Sequence, residues 1–481
     1  MESSERIRLL KRLNEYEVEF PIDQWKVEDI DVWPLIKTLI FFLIFKNSNY
    51  SESEKNSIWF KFIGKIKSSG INLVTYLSSV YYLILFRPKE AKIVFSGAST
   101  HRVIFNGQNI NRYYQLILEY IKGEKINYEF FEYQSSGQQN VNSSHVYKLL
   151  PFFKKKQSLK LLMNDSGFKN FLDRIEIDTG LKKEQFLKGL KKKIENVNSW
   201  ANLYEYIFNK TKAKYSLGLC YYSDPMFGMN LAASRLGVES IDFQHGTQGP
   251  MHFAYTYNVP SIDGFNTLPK QFWCWDQESG DHLKSWISNQ ETVKIVGNPW
   301  VEYVTDSKFY PDLNLPEDKP IVLFTHQPIK PALDVYLLET IRSTKDRFNW
   351  WLRVHPRISS QEFDELKTLI SEWGLDDVIE LNKASNYPLP FLLNKVAVHI
   401  SKYSGSIIEG VLCNTPTIIL EEIGINSFGN FIESKLAHGL LNPTTIDLAQ
   451  LVIQLVEKKY SSGNKTQMES TIKGVLDEII K

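Results

Sequence analysis

The sequence predicts an α/β chain built on two doubly wound parallel sheets that face one another across a cleft, preceded by a helical N-terminal extension. Three observations predict it. At 481 residues the chain is too long for one hydrophobic core. From Ala91 to Thr305, and again from Ile321 onward, short β-branched or aromatic runs alternate with stretches that read as helices, the rhythm of a parallel sheet. Between these blocks, residues 306–320 read DSKFYPDLNLPEDKP, with three prolines and four acidic residues, the composition of an interdomain linker. The expected division is 1–90 for the extension, 91–305 for the first α/β domain and 306–481 for the second.

The elements follow in order. AKIVFSG (91–97) is an opening strand, and a helix is expected from Asn111 in NRYYQLILEYIK. YEFFEYQ (128–134) is a second strand. Residues 150–200 are lysine-rich and helical, with KKK at 154–156 and 191–193 broken by Asp173, Glu176, Glu184 and Glu195, as a solvated helix face would be. Strands resume at YSLGLCYYSDP (215–225), VESIDFQHG (238–246), LPKQFWCWD (268–276) and VKIVGNPW (293–300). The second domain offers strands at IVLFTH (321–326), NWWLRVHP (349–356), DVIEL (377–381), VAVHIS (396–401) and PTIIL (416–420), with SIIEGVLC (406–413) as a short helix.

Composition narrows the function. A formal net charge of +1 argues against a global nucleic-acid binder. Cys220, Cys274 and Cys413 form no CxxC pair, which fits a reducing compartment, and the charged start MESSERIRLLKRLNEYE lacks an apolar signal core; a cytoplasmic protein is expected. Two apolar stretches, 35–45 and 71–86, fall short of the roughly 20 residues a spanning helix needs. Burial within the protein is one reading of them. The other is a peripheral membrane contact, since Lys61, Lys65, Lys67, Arg87 and Lys89 flank the second stretch.

Open parallel sheets bind ligands at the carboxyl ends of their strands, and the polar signals fall there. His326 closes IVLFTH, Arg353, His355 and Pro356 close NWWLRVHP, and Ser401 to Ser406 join VAVHI to the next helix. Ser404, Gly405 and Ser406 open that helix, where unpaired N–H groups suit a phosphate; one serine is equally explained as an N-cap. Glu409, one turn along, suits ribose hydroxyls or simply faces solvent. His399 inside VAVHI reads as structural. In the first domain, DFQHGTQGPMHFAY (242–255) gathers Asp242, His245 and His252 at one strand end, and YYSDP puts Asp224 at the end of another. Asp224, Asp242 and His245 are the candidates for a catalytic base. The Asp29-x-Asp31 pair lies outside the sheets, and no residue cluster reads as a metal site.

The succession FQHGTQGP, a strand ending in GNPW, RVHPR and SKYSGSIIEGVLCNTPTIIL resembles bacterial glycosyltransferases of the GT-B architecture over residues 215–425. Capsule and lipopolysaccharide enzymes, including sialyl-, polysialyl- and Kdo-transferases, are the nearest in layout. CDP-glycerol glycerophosphotransferases share the order of motifs, and non-hydrolysing UDP-GlcNAc 2-epimerases carry a related His-Pro and Ser-Gly-Gly-x-x-x-Glu pattern. The resemblance implies two Rossmann-like domains, no metal or other cofactor, and a nucleotide-sugar donor held by His355, Pro356, Ser404, Ser406 and Glu409, with His245 near the reacting centre. It implies a polysaccharide or lipid-linked acceptor. The chain departs from the family in lacking the acidic pair before Gly264, a second glycine after Gly405, and the Asp-Tyr-Ser-Ser form at 402–405. A CDP-polyol phosphotransferase, a sugar-nucleotide epimerase and a non-catalytic capsule-assembly scaffold are the alternatives.

Overall fold

The computed structural model describes residues 3–49, 73–134, 144–258, 264–305, 315–327, 331–355, 358–461 and 471–480. Pro356, residues 306–314 of the expected linker, and Lys61, Lys65 and Lys67 lie outside them.

Two parallel sheets dominate. The first has seven strands, β1 (Ile93–Ala98), β2 (Tyr128–Gln134), β3 (Ser144–His145), β4 (Tyr215–Leu219), β5 (Glu239–Phe243), β6 (Gln271–Cys274) and β7 (Val293–Ile295), in the order 7-6-5-4-1-2-3. The second has six, β8 (Ile321–Thr325), β9 (Asn349–Arg353), β10 (Ile379–Glu380), β11 (Val398–Ser401), β12 (Thr417–Ile419) and β13 (His438–Gly439), in the order 10-9-8-11-12-13. Both are the doubly wound arrangement, in which the chain reverses its direction of travel at a switch point. The switch lies between β1 and β4 in the first sheet and between β8 and β11 in the second. Burial explains why these strands read so clearly: all six residues of β1 and all five of β8 are buried, because helices cover both faces of a parallel sheet.

The expected architecture is therefore present, two such domains facing a cleft, with helices at the N-terminus. These helices, α1 (Ser3–Glu19) and α2 (Trp33–Asn49), are built into the first lobe. Tyr16, Trp25 and Trp33 pack against Phe168 and Phe171 in its core. Beneath them the fully buried Lys37 Nζ donates to Glu17 Oε1 at 2.6 Å, to Asn14 Oδ1 at 2.8 Å and to the Thr256 carbonyl at 2.5 Å. That arrangement gives the apolar stretch 35–45 a buried, ion-paired lysine within the protein. Among the described residues no helix is long and apolar enough to cross a membrane.

The lysine-rich region forms the long helix α3 (Lys183–Thr211), whose apolar stripe Phe186, Leu190, Ile194, Val197, Ala201, Tyr204 and Phe208 recurs every three or four residues. It crosses α4 (Asp224–Leu236) so closely that a methyl group at Gly228 would sit 2.8 Å from the Ala201 nitrogen. Asp29 pairs with Arg235 at 2.7 Å, and Asp31 Oδ2 accepts from the Asn266 backbone at 2.8 Å; the two aspartates tie an N-terminal hairpin to this lobe.

The helix expected from Asn111 begins later, at Gln115. The preceding residues form a β-hairpin, Arg102–Phe105 against Gln108–Asn111, turned by Asn106 and Gly107 with φ of 48° and 74°, the left-handed pair that suits a two-residue turn.

The lobes share an apolar floor. Phe243, Trp275 and Val296 of the first meet Ile407, Ile408, Phe428 and Phe431 of the second. The last helix, α6 in a series where α5 is Ser406–Leu412, spans Thr471–Ile480 and returns to the first lobe. Its Asp477 accepts from Tyr120 Oη and its Glu478 pairs with Lys294.

Candidate active site

Both switch points open toward one another. A methyl group at Gly405, in the loop after β11, would sit 3.7 Å from Gly246 Cα and 3.9 Å from the Thr247 nitrogen, in the loop after β5. Nearby, a methyl group at Gly249 would come within 2.7 Å of the Ser427 carbonyl. The His-Gly and Ser-Gly loops named from sequence thus face each other at glycines, where backbone approaches backbone.

From the first lobe the hairpin after β1 supplies His101 and Arg112. The Asn111 Oδ1 accepts from the Tyr113 and Tyr114 nitrogens at 3.0 and 3.3 Å, fixing the turn that carries Arg112. Arg112 Nη2 donates to Tyr113 Oη at 2.5 Å, and Tyr113 Oη donates to the His245 carbonyl at 2.9 Å. The Arg112 Nε is buried with no hydrogen-bond partner, and the side chain has no ion pair among the described residues. Burial works against its charge, but the attraction of Tyr113 and Glu409 outweighs it and holds the pKa above the usual arginine value.

Two histidines stand beside it. The Ala98 N–H donates to His101 Nδ1 at 3.2 Å, which assigns the proton to Nε2 and leaves an N–H donor there. Burial, then the neighbouring His245 and Arg112, pushes the His101 pKa down to about 3. His245 has a buried, unpartnered Nδ1, and its Nε2 lies 3.5 Å from Tyr222 Oη. Burial, then Arg112, lowers its pKa to about 4. Both imidazoles are neutral at pH 7, so His245 can accept a proton.

The second lobe brings Glu409 and Arg353. Glu409, on α5, feels both Arg112 and Arg353, yet burial dominates and raises its pKa. Arg353 Nη1 donates to the Ala384 and Tyr387 carbonyls at 2.7 and 2.5 Å, so one end of this guanidinium is a clamp on its own lobe. Burial lowers its pKa to about 10 against the pull of Glu409, with Arg112 adding repulsion. His326 lies between the ends of β9 and β11. Both its ring nitrogens are buried without a partner, and burial, then Lys402, lowers its pKa to about 4. Lys402 itself is held by Asp334 at 2.7 Å and Glu421 at 3.2 Å. His355 is half-buried just past β9, its carbonyl accepting from Ile358.

Several residues singled out from sequence face elsewhere. Ser406 Oγ is buried 3.0 Å from Thr325 Oγ1 and 3.4 Å from Ser401 Oγ, in a hydroxyl cluster that also holds His399 Nε2, 3.0 Å from Thr325 Oγ1. Its hydroxyl ties α5 to the sheet. Ser404 Oγ accepts from the Ser406 nitrogen at 3.2 Å, serving the start of the helix. Asp224 is turned to α3, where it pairs with Lys193 at 2.5 Å and meets Asn196 at 3.3 Å. Asp242 is fully buried, accepting from Tyr255 Oη at 2.8 Å and the Tyr221 nitrogen at 3.1 Å; burial lifts its pKa to about 7. Of the three expected base candidates, the structure brings His245 to the cluster. Sequence reasoning missed His101 and Arg112, although the Asn106-Gly107 turn signal that positions them is visible in the sequence.

No family model and no curated protein matches the chain. Solved structures do match in shape. The UDP-GlcNAc 2-epimerase of Methanocaldococcus jannaschii, in complex with UDP-GlcNAc and UDP, is 12% identical with a TM-score of 0.48 over 81% of this chain and 99% of that one. The UDP-GlcNAc 2-epimerase of Neisseria meningitidis bound to UDP-GlcNAc is 14% identical, with a TM-score of 0.47 over 81% and 98%. CalG4, the calicheamicin glycosyltransferase, is 11% identical, with a TM-score of 0.44 over 77% and 91%.

Proposed function

We propose that the chain is a glycosyltransferase that moves a sugar from a nucleotide-activated donor to a cell-surface polysaccharide or lipid-linked acceptor. The observation that carries the proposal is Arg112, a half-buried guanidinium whose Nε is buried without a hydrogen-bond partner and which has no carboxylate in ion-pair contact among the described residues, at the meeting of two sheet switch points. A buried cation is costly unless something pairs with it, and a donor phosphate is a fitting partner. In this reading the departing phosphate lies against Arg112 and the open end of Arg353, and His101 Nε2–H adds a neutral donor. Such groups, fixed before the reaction, stabilise charge as it develops. His355 contributes at the nucleotide side and Glu409 accepts from ribose hydroxyls. The acceptor oxygen bonds to the anomeric carbon as the bond to the phosphate oxygen breaks; the electron pair leaves with the nucleotide, and the acceptor proton passes to His245.

His245 is a weak base while Arg112 faces it unpaired. A donor phosphate anion beside Arg112 offsets that repulsion and raises the imidazole pKa, so the base strengthens when the donor is in place. The positive charge on the phosphate comes from arginine in this scheme, and turnover is expected to survive chelation by EDTA.

Thermal stabilisation of the full chain by CMP, CDP, UDP and GDP tests the first step, since a ligand that binds only the folded state raises its apparent stability. At least one nucleotide is expected to stabilise. Stabilisation by none of them refutes the proposal and favours a scaffold. Turnover of a nucleotide sugar with no acceptor present moves the assignment to a 2-epimerase, and polyol phosphate in the product moves it to a phosphotransferase.

A further inference from the structure

The cleft holds another cation with no ion pair among the described residues, and it comes from the N-terminal helix. Arg6 on α1 has a buried Nε with no hydrogen-bond partner, and the side chain has no ion pair among the described residues. Its guanidinium carbon lies 5.8 Å from the Phe41 ring of the first lobe and 5.9 Å from the Tyr403 ring of the second. Tyr403 belongs to the Ser-Gly loop after β11, and α1 packs against the helix Glu422–Ser427 of the same lobe. The guanidinium thus spans the mouth between the lobes.

An aromatic wall leads from Arg6 to the cluster around Arg112. Phe41 stacks on Phe253 at 4.2 Å, Phe253 meets Tyr222 at 5.3 Å, and Tyr222 Oη is 3.5 Å from His245 Nε2. His252 lies 5.2 Å from the Tyr222 ring on the same side. Its Nδ1 accepts from the Ala254 nitrogen, and burial, then Arg6, keeps it neutral. His245 and Tyr222 therefore separate two cationic centres. One is Arg112, with Glu409 and Arg353 around it. The other is Arg6, which has aromatic rings and a neutral imidazole around it and, among the described residues, no carboxylate in ion-pair contact.

We propose that Arg6 is a second anion seat, which holds an oxyanion borne by the acceptor while the donor phosphate occupies Arg112. This deepens the transferase reading and rests on it. Cation–π contact with two rings holds a guanidinium in place while its N–H groups stay available to an anion, and a transfer reaction needs both substrates held in reacting orientation beside the base. The inference gives α1 a role in the chemistry as well as in the core.

Inorganic phosphate is the probe. Calorimetric titration of the full chain should show two sites. Arg6→Met should remove one from the titration and leave the other unchanged; Arg112→Met should do the reverse. Arg6→Lys keeps the charge without the planar fork and should restore the lost site at reduced affinity, which separates a lost seat from a misfolded cleft. In the presence of a saturating nucleotide from the panel, the Arg6 site should still fill. Two sites remaining in Arg6→Met, a single wild-type site that only Arg112→Met removes, or failure of Arg6→Lys to recover any binding overturns the inference. Displacement of both phosphates by nucleotide alone overturns it too, assigning Arg6 to the donor. If no nucleotide binds but the Arg6 site behaves as described, the transferase reading fails and the anion seat stands.

Discussion

Replacing Arg112 with methionine separates a ligand-binding role from a structural one. Methionine keeps an unbranched stem in the cleft and removes the charge. Of the guanidinium nitrogens, Nη2 is engaged with Tyr113 Oη, while Nε has no partner. Two donors directed at a phosphate would make two charge-assisted hydrogen bonds, each contributing about 1.5–3 kcal/mol. The lower figures sum to about 3 kcal/mol, which weakens nucleotide binding roughly 160-fold. The assay is thermal unfolding with the best-binding nucleotide at 100 times the wild-type Kd. Wild type then gains about 2.7 kcal/mol, whereas a variant weakened ~160-fold gains only about 0.3 kcal/mol at the same concentration. The ligand-free variant loses the Tyr113 contact and the attraction of Glu409 but is relieved of burying an unpaired charge, so the two effects offset one another. The expected signature is a small change without ligand and a collapse of the ligand-induced shift. Full nucleotide stabilisation in Arg112→Met would place the anion elsewhere and refute the reasoning.

His245→Ala should lower kcat at least about 100-fold with nucleotide affinity within roughly a factor of two; retained turnover with lost affinity would reverse the assignment of the two loops. Because neutral His245 is the active form and its pKa in the free protein is about 4, kcat/KM should be flat from mildly acidic to neutral pH and fall only as the pH drops through that value. Lys37→Met strands the buried Glu17 carboxylate and should cost about 3–5 kcal/mol in urea unfolding, with much of it recovered in Lys37→Met/Glu17→Gln; a loss below about 1 kcal/mol would mean that the N-terminal helices do not belong to the first lobe's core. Gly410→Ala forces a methyl to within 2.6 Å of Thr417 Oγ1 and 2.9 Å of His399 Nδ1, and should destabilise by about 1–3 kcal/mol through overpacking, read as a lower Tm.

The strands of both sheets were legible because parallel strands are covered on both faces and so appear as unbroken apolar runs. AKIVFSG and IVLFTH each sit within a residue or two of the observed β1 and β8. The strands β3 and β13, two residues each, are too short to leave any periodic trace. Their pairing is decided by neighbours distant in the chain. The hairpin at 102–111 was misread as loop and helix start because the apolar residues of NRYYQLILEYIK masked the turn signal at Asn106-Gly107. In the site, sequence located the facing loops but not the direction of each side chain. Ser406 and Asp242 look like ligands or bases when strand ends are counted, yet one hydroxyl turns into the sheet and one carboxylate sinks into a tyrosine network. Asp242 lies within β5 and Ser406 opens α5, but the partners that enclose them, Tyr255 for one and Thr325 for the other, come from other segments of the chain. Arg6 could not be read at all, since its site depends on Tyr403 at the far end of the chain.

Charges elsewhere in the molecule show why the two arginines stand apart. Lys37 is matched by Glu17, Lys193 by Asp224, Arg235 by Asp29 and Glu205, and Lys402 by Asp334 and Glu421, each within 3.2 Å. Removing a charge from water without such a partner is unfavourable by several kcal/mol, and the fold satisfies that constraint from α1 to the second sheet. Among the described residues Arg112 and Arg6 depart from the pattern on opposite sides of His245, as does Arg353, which has carbonyl partners in place of a carboxylate. A carboxylate in direct ion-pair contact with Arg112 or Arg6 would stabilise the empty protein and compete with any incoming anion; Glu409 attracts Arg112 without making that contact. Leaving the positions open exchanges resting stability for binding, and the exchange favours the protein only if the missing counter-charge arrives with a substrate.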